Sequence, residues 1–295
     1  MDLLSSPGFQ DLLNATRPQR VGEVESVVGL SVQVRGLRCS VGEVVLLGDG
    51  AGTPAEVVAL DGDIASCMPL DNLDGLAVGA PVRGTGVPAM VPVGPALLGR
   101  VIDAAGRPID GKGPIFTSEQ VPINAAAPNA LERARIDTPV AMGVRVLDTL
   151  VTLGKGQRIG LFAGSGVGKS TLMSMIARGT NAEICVIALV GERGREVREF
   201  LEDDLGDEGL SRSVVVATSD ESPMLRRRAA FTATRVAEYY RDAGMDVLLM
   251  MDSLTRTCMA QREIGLSVGE PPATRGYPPS TFSMMAQLLE RAGAG

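Results

Sequence analysis

The sequence predicts an α/β chain in which a parallel sheet flanked by helices follows a small N-terminal β-barrel. Three observations carry this expectation. Residues 21–86 are short Val-rich runs broken by Gly and Asp every several residues, a turn frequency that suits a small barrel. From about residue 135, wholly apolar runs alternate with amphipathic stretches, which implies parallel strands covered by helices on both faces. Between the two, residues 87–134 are dense in Gly and Pro and read as a linker and entry to the second, strand-helix part.

Residues 1–20, MDLLSSPGFQDLLNATRPQR, hold an apolar set of Leu3, Leu4, Phe9, Leu12 and Leu13 interrupted by Pro7 and Gly8. They are expected to form a tail with at most a turn or two of helix. The barrel strands are expected in RVGEVESVVGLSVQVRG, EVVLLG, AEVVALDGDIASCMPL and APVRGTG. VPAMVPVGPALLGRVIDAAGRPIDGKGPI forms the connection. In residues 135–295, QRIGLFAG reads as a buried strand and residues 168–179 as a helix with Leu172, Met175 and Ile176 on one face. ICVIALVG is a second strand, followed over residues 195–205 by a charged helix that Gly206 ends. SVVVATS is a third strand, and residues 223–242 form a long helix with Pro223 in its first turn. DVLLMMD is a fourth strand, with a further helix from Leu254.

Composition excludes several classes of chemistry. The 295 residues are 45% hydrophobic and 21% charged, ordinary proportions for a globular protein. Aromatics make up 3% and Trp is absent, so the core must be built from Val, Leu, Ile, Ala and Met. The lack of any His removes Ser-His-Asp triads and HExxH zinc sites. A net charge of −7 without a basic stripe argues against a nucleic-acid partner. Cys39, Cys67, Cys185 and Cys258 are scattered, with no CxxC, and read as reduced thiols of a cytoplasmic protein. The first residues carry no secretory signal. No apolar run approaches the ~20 residues that span a bilayer, so membrane contact is expected to be indirect.

FAGSGVGKST is the most informative stretch. It gives up packing side chains for glycines between an expected strand and an expected helix. There the backbone N–H groups of Gly164, Ser165, Gly166, Val167 and Gly168 can turn toward a polyanion, and the helix N-terminus adds about half a positive charge. Lys169 reaches β- and γ-phosphates, the Ser170 hydroxyl is placed to ligate Mg²⁺, and Thr171 completes the run. The GxxxxGK[ST] pattern is met except at its first position, which is Ala163. A plain Gly-rich turn would not require Lys-Ser-Thr at this spacing. Asp252 closes the apolar strand VLLMMD and is a candidate carboxylate on the Mg²⁺ side. LVGERGRE puts Glu192 and Arg193 at a strand's carboxyl end, where ligands of open α/β sheets bind. Glu192 is placed to polarise a water and Arg193 to stabilise charge on a γ-phosphoryl group. The alternative is a solvated ion-pair cluster of both with Arg195, Glu196 and Arg198.

RIGLFAGSGVGKST, ALVGERGREVREFLED, VLLMMDSLTRTCMAQREIGLSVGEPPATRGYPPSTF and LLERAG together resemble the flagellum-specific and type III secretion export ATPases, relatives of the β subunit of the rotary ATP synthases. The resemblance runs from about Val21 to the last residue, and the GKGP ending of the connection leans toward the flagellar branch. It implies a P-loop NTPase core of RecA-like fold behind a small β-barrel, with ATP and Mg²⁺ as cofactors. It assigns Lys169 to the phosphates, Ser170 and Asp252 to the metal, Glu192 to catalysis and Arg193 to the γ-phosphate. It implies a homohexameric ring at the cytoplasmic side of a membrane export apparatus, with a regulator, a stalk protein, export substrates and chaperones as partners. Members of the family continue beyond LLERAG into an arginine finger, the rest of an adenine pocket and a helical domain. Since such a finger is worth about 10³–10⁵ in rate in GTPases, a chain ending at Gly295 is expected to bind nucleotide better than it hydrolyses it. The competing expectations are an injectisome ATPase, a non-catalytic or ATP-synthase-type ring subunit, and an RNA-dependent helicase. Glu192 argues against the non-catalytic subunit, and the acidic, aromatic-poor composition argues against the helicase.

Overall fold

Alternation of buried and half-buried side chains builds the first unit. The computed structural model describes residues 20–117, 119–164 and 166–294; the tail expected over residues 1–20 lies outside them save for Arg20, which begins a strand. Six strands, β1 (Arg20–Val28), β2 (Ser31–Arg35), β3 (Glu43–Leu47), β4 (Thr53–Asp61), β5 (Ile64–Pro69) and β6 (Pro81–Pro88), close into an antiparallel barrel in the order β1-β2-β5-β4-β3-β6. In β3, Glu43, Val45 and Leu47 are buried and Val44 and Leu46 half-buried, the period-2 pattern of a strand with one face on a core. That core is made of small aliphatics, among them Val24, Val32, Val34, Val57 and Val82. Register shifts in β1 and β4 supply the extra twist that closure demands. Buried Glu43 is satisfied by the backbone N–H groups of Ser40 (3.2 Å) and Gly86 (2.8 Å), so its charge costs the barrel little.

The second unit begins at Ala89. In chain order it contains β7 (Met90–Val93), β8 (Arg100–Ile102), β9 (Glu119–Pro122), β10 (Pro139–Val140), α1 (Arg145–Leu150), β11 (Leu153–Gly154), α2 (Lys169–Gly179) and β12 (Ile184–Val190). There follow α3 (Gly194–Glu199), a π-helical turn (Phe200–Leu205), α4 (Gly206–Ser211), β13 (Ser213–Thr218), α5 (Pro223–Asp242), β14 (Val247–Asp252), α6 (Leu254–Ser267) and α7 (Pro279–Arg291). Its main sheet is parallel, ordered β14-β12-β13-β8. Every residue of β12 and β13 is buried, which is why both read as unbroken apolar runs. No helix of the described residues is long and apolar enough to cross a membrane.

Four expectations are corrected by the fold. First, the Gly/Pro-rich stretch read as a linker is woven into the second unit. Its β8 extends the parallel sheet beside β13, and β7 pairs with β9. Arg100 and Asp110 hold the β8 region with a paired contact of 2.7 and 2.9 Å, so the glycines there mark turns between packed segments. Second, QRIGLFAG forms no strand. Residues 157–164 run outside the sheet, with Phe162 98% exposed, and among the described residues β14 has no strand on its outer edge. An apolar run becomes a buried strand only with a ladder partner and covered faces, and this segment has neither. Third, α2 buries Met173, Ser174, Ile176 and Ala177, while Leu172 is half-buried and Met175 exposed. Fourth, Gly206 does not end the helix after β12; the chain widens into the π-helical turn and continues as α4.

The long helix α5 is fastened along its length to the β7–β8 region. Arg228 Nη2 donates to the Met90 carbonyl (3.1 Å), Thr232 Oγ1 to that of Ala104 (2.7 Å) and Tyr240 Oη to that of Gly94 (2.9 Å). Its start is capped by Ser222, whose hydroxyl accepts from Leu225 N (3.3 Å), with Pro223 in the first turn.

Candidate functional site

Two parallel strands and one helix converge on the site. β12 ends at Val190 and is followed by Gly191, Glu192 and Arg193, while its neighbour β14 ends in Asp252. The loop before α2 takes the conformation its glycines permit. Gly166 has φ +74° and Gly168, the residue before the helix, has φ +97°. A Cβ added at Gly164, Gly166 or Gly168 would meet nothing within 4 Å, so glycine is there for backbone geometry and free space rather than for close packing. Ser165 lies outside the described residues. Val167, Ser170 and Thr171 are exposed around the start of the helix.

Lys169 and Asp252, far apart in sequence, meet here. The lysine Nζ donates to Asp252 Oδ1, and the aspartate side chain is 6% exposed. The Glu192 side chain, 16% exposed, accepts from Arg256 Nε at 3.2 Å. Burial pushes the Glu192 carboxyl above its ordinary range; the Arg256 charge pulls it down, and the neighbouring Asp252 charge pushes it further up. Lys169, Asp252, Glu192 and Arg256 therefore form two facing ion pairs, half-sheltered from water, at the carboxyl ends of adjoining strands.

Arg193 is not part of this group. Its side chain is 80% exposed and pairs with Glu196 at 3.3 Å. It opens a solvated series continued by Arg195–Glu199 (3.3 Å) and Arg198–Glu202 (2.7 Å). The two readings offered for the Glu192–Arg193 pair thus divide, the glutamate going to the site and the arginine to the surface. Sequence reasoning missed Arg256. The available signal was its place in the first turn of the helix after Asp252, where Ser253 caps by accepting from Arg256 N (3.3 Å) and brings that turn back toward the strand ends.

Among the described residues no group of three or more Cys, Asp or Glu side chains is placed to hold a metal ion. The oxygen donors nearby are the Asp252 and Glu192 carboxylates at the strand ends, with the Ser170 hydroxyl on the exposed start of α2. These are hard ligands, few in number, and they suit a Mg²⁺ that completes its shell with waters and substrate phosphates.

Comparison with known proteins agrees with this architecture. The profile of the ATP synthase alpha/beta family nucleotide-binding domain matches residues 143–295, and that of the same family's beta-barrel domain matches residues 24–86. A type 3 secretion system ATPase of Xanthomonas euvesicatoria is 53% identical, across 99% of this chain and 67% of its own length. A flagellum-specific ATP synthase of Treponema pallidum is 54% identical, across 97% and 65%. Its namesake in Bacillus subtilis is 52% identical, across 94% and 64%. The chain thus spans about two thirds of the length of these curated relatives. Among solved structures, the assembled ATPase EscN in complex with its central stalk EscO, from the type III secretion system of enteropathogenic E. coli, superposes with a TM-score of 0.87 at 44% identity. That match covers 93% of this chain and 68% of EscN.

Proposed function

Because the chain belongs to the ATP synthase alpha/beta family, we propose that it binds Mg²⁺·ATP and hydrolyses it to drive protein export through a flagellar type III apparatus. The observation that carries this reading is the convergence of Lys169, Asp252 and Glu192 at the ends of β12 and β14, beside a glycine loop that opens α2.

The residues divide the work as follows. Backbone N–H groups from Gly164 to Gly168 and the start of α2 cradle the phosphates, and Lys169 contributes its charge to them. Thr171 lies one residue further into the helix. Ser170 and Asp252 would hold the magnesium ion, which supplies charge neutralisation to the phosphoryl oxygens when bound. Glu192 accepts the proton of the attacking water, and burial gives its carboxylate a higher proton affinity than an exposed one has. Arg193, exposed beside the site, is assigned to the γ-phosphate only through the family pattern, and its present partner is Glu196.

A homohexamer with a stalk protein at its centre follows by analogy with the assembled EscN–EscO complex. Its place is the cytoplasmic face of the export apparatus, with a regulator, export substrates and chaperones as further partners and no nucleic acid. The test is phosphate release by the protein with and without magnesium. Lys169→Ala abolishes both nucleotide uptake and turnover. Glu192→Gln abolishes turnover and leaves uptake in place. Undiminished hydrolysis in both variants overturns the assignment. Uptake without turnover in a version extended to the relatives' full length identifies a non-catalytic ring subunit instead. An injectisome role is the second reading, favoured by the Xanthomonas relative at 53% identity. Rescue of motility or of secretion in the matching deletion strain decides between the two.

A further inference from the structure

We infer that the C-terminal end of the phosphate-loop helix is the fixed point that positions Lys169 and Ser170, through a clasp that Gly143 closes against Gly179. The inference rests on the nucleotide-binding reading above and adds residues to its machinery.

The helix α2 has 11 residues and, at ~1.5 Å rise per residue, behaves as a rod about 16 Å long. Its first end carries the phosphate-facing groups and is poorly supported from outside. A Cβ on the glycines before it would meet nothing within 4 Å, and residues 158–160 and 162–164, leading in, are exposed. The ion pair there, Lys169–Asp252, joins groups that nucleotide binding on the proposed reading must separate. Along its flank α2 buries Met173, Ile176 and Ala177. Contacts of this kind set the distance of a helix from the sheet but resist sliding along its axis only weakly.

Axial position is set at the other end. The backbones of Gly143 and Gly179 interlock so closely that a Cβ on Gly143 would stand 2.4 Å from the Gly179 Cα. A Cβ on Gly179 would stand 2.8 Å from the Gly143 Cα. Gly143 has φ +71°, a conformation other residues adopt only with strain. Three hydrogen bonds complete the clasp: Thr180 Oγ1 to the Ala141 carbonyl (3.0 Å), Asn181 N to the same carbonyl (3.1 Å), and Ala141 N to Asn181 Oδ1 (3.1 Å). Both halves are held from behind. Met142 N donates to Asp148 Oδ1 at 2.7 Å, Met142 and Val144 are buried in the core, and Arg212 Nη2 donates to the Thr180 carbonyl at 2.9 Å. A methyl group forced into this contact has to drive the rod toward the loop.

The test compares Mg²⁺·ATP affinity by calorimetry in the wild type, Gly179→Ala, Asn181→Ala and Asn181→Asp. A misplacement of ~1 Å at a reacting centre costs up to about 10²-fold in rate, so Gly179→Ala is expected to lower kcat/KM about tenfold or more and to weaken binding measurably. Loss of one hydrogen bond predicts a weakening of about threefold to fivefold in Asn181→Ala. Asn181→Asp keeps the acceptor and restores wild-type affinity. Because Asn181 is exposed, its variants keep the fold even if Gly179→Ala does not. In turnover the variants raise KM, whether or not kcat falls with it, whereas partial unfolding lowers apparent kcat at unchanged KM. Folded variants with wild-type affinity, or a loss confined to kcat, overturn the inference alone. No uptake by the wild type overturns the nucleotide reading and the clasp together.

Discussion

Glu192 and Arg193 are adjacent in sequence and opposite in fate. Spacing alone puts both at the end of β12, and only the course of the chain beyond the strand decides which one enters the site. Lys169 and Asp252, which the structure brings together, stood out in the sequence because each begins or ends a strongly patterned element. Arg256 was not, since its importance depends on a helix start that doubles back toward the strand. Two outcomes belong to this scale. On the proposed assignment of Glu192 as base, its raised carboxyl is protonated, and therefore inactive, below a pH higher than the usual glutamate value of about 4.3. The hydrolysis rate is expected to fall on acidification with a midpoint above that value, read from kcat/KM against pH. In Arg256→Ala the charge that pulls this carboxyl down is gone, and the same limb moves to higher pH.

Elements such as β12, β13, α5 and β14 were readable because buried parallel strands are unbroken apolar runs and because Pro223 and Ser222 announce a helix start. The failures share a cause. QRIGLFAG has the composition of a strand, but a strand is defined by a neighbour, which no local pattern specifies. The Gly/Pro stretch was misjudged for the converse reason, since dense turns are compatible with full packing. Its β8 is secured by Asp110, whose carboxyl the Arg100 guanidinium and the Val101 and Lys112 backbone N–H groups hold well below the usual carboxylate range. A depressed carboxyl contributes stability above its unfolded value and loses it as pH falls through the folded one. Thermal melts from pH 7 downward are expected to show an acid destabilisation that is smaller in Asp110→Asn. Helix α7 is tied to α5 by Arg291, fully buried, which contacts Glu238 at 2.7 and 2.8 Å. Replacing Glu238 alone strands the buried Arg291 charge, at a cost of about 3–5 kcal/mol in equilibrium urea unfolding, whereas replacing Arg291 leaves Glu238 paired with Arg235 at 3.3 Å and costs less. Replacing both with apolar residues costs less.

At the scale of the whole molecule, the division into a turn-rich β part and a strand-helix part was visible in the rhythm of Gly and Val. Each unit has its own aliphatic core, as a chain with 3% aromatics must. The barrel, residues 20–88, is accordingly expected to fold when expressed alone. Far-UV circular dichroism of β type and a cooperative melt check this, and a random-coil spectrum refutes it.

The bond between Lys169 and Asp252 makes each the counterion of the other. On the proposed nucleotide-binding role, arrival of a polyphosphate is then a partner exchange rather than a simple docking. The lysine leaves for the newcomer, and the sheltered aspartate is abandoned unless a cation comes too. Chelating the divalent ion is therefore expected to cripple uptake of ATP more than loss of one coordination bond explains, and Asp252→Asn, which has no charge to abandon, should narrow that gap.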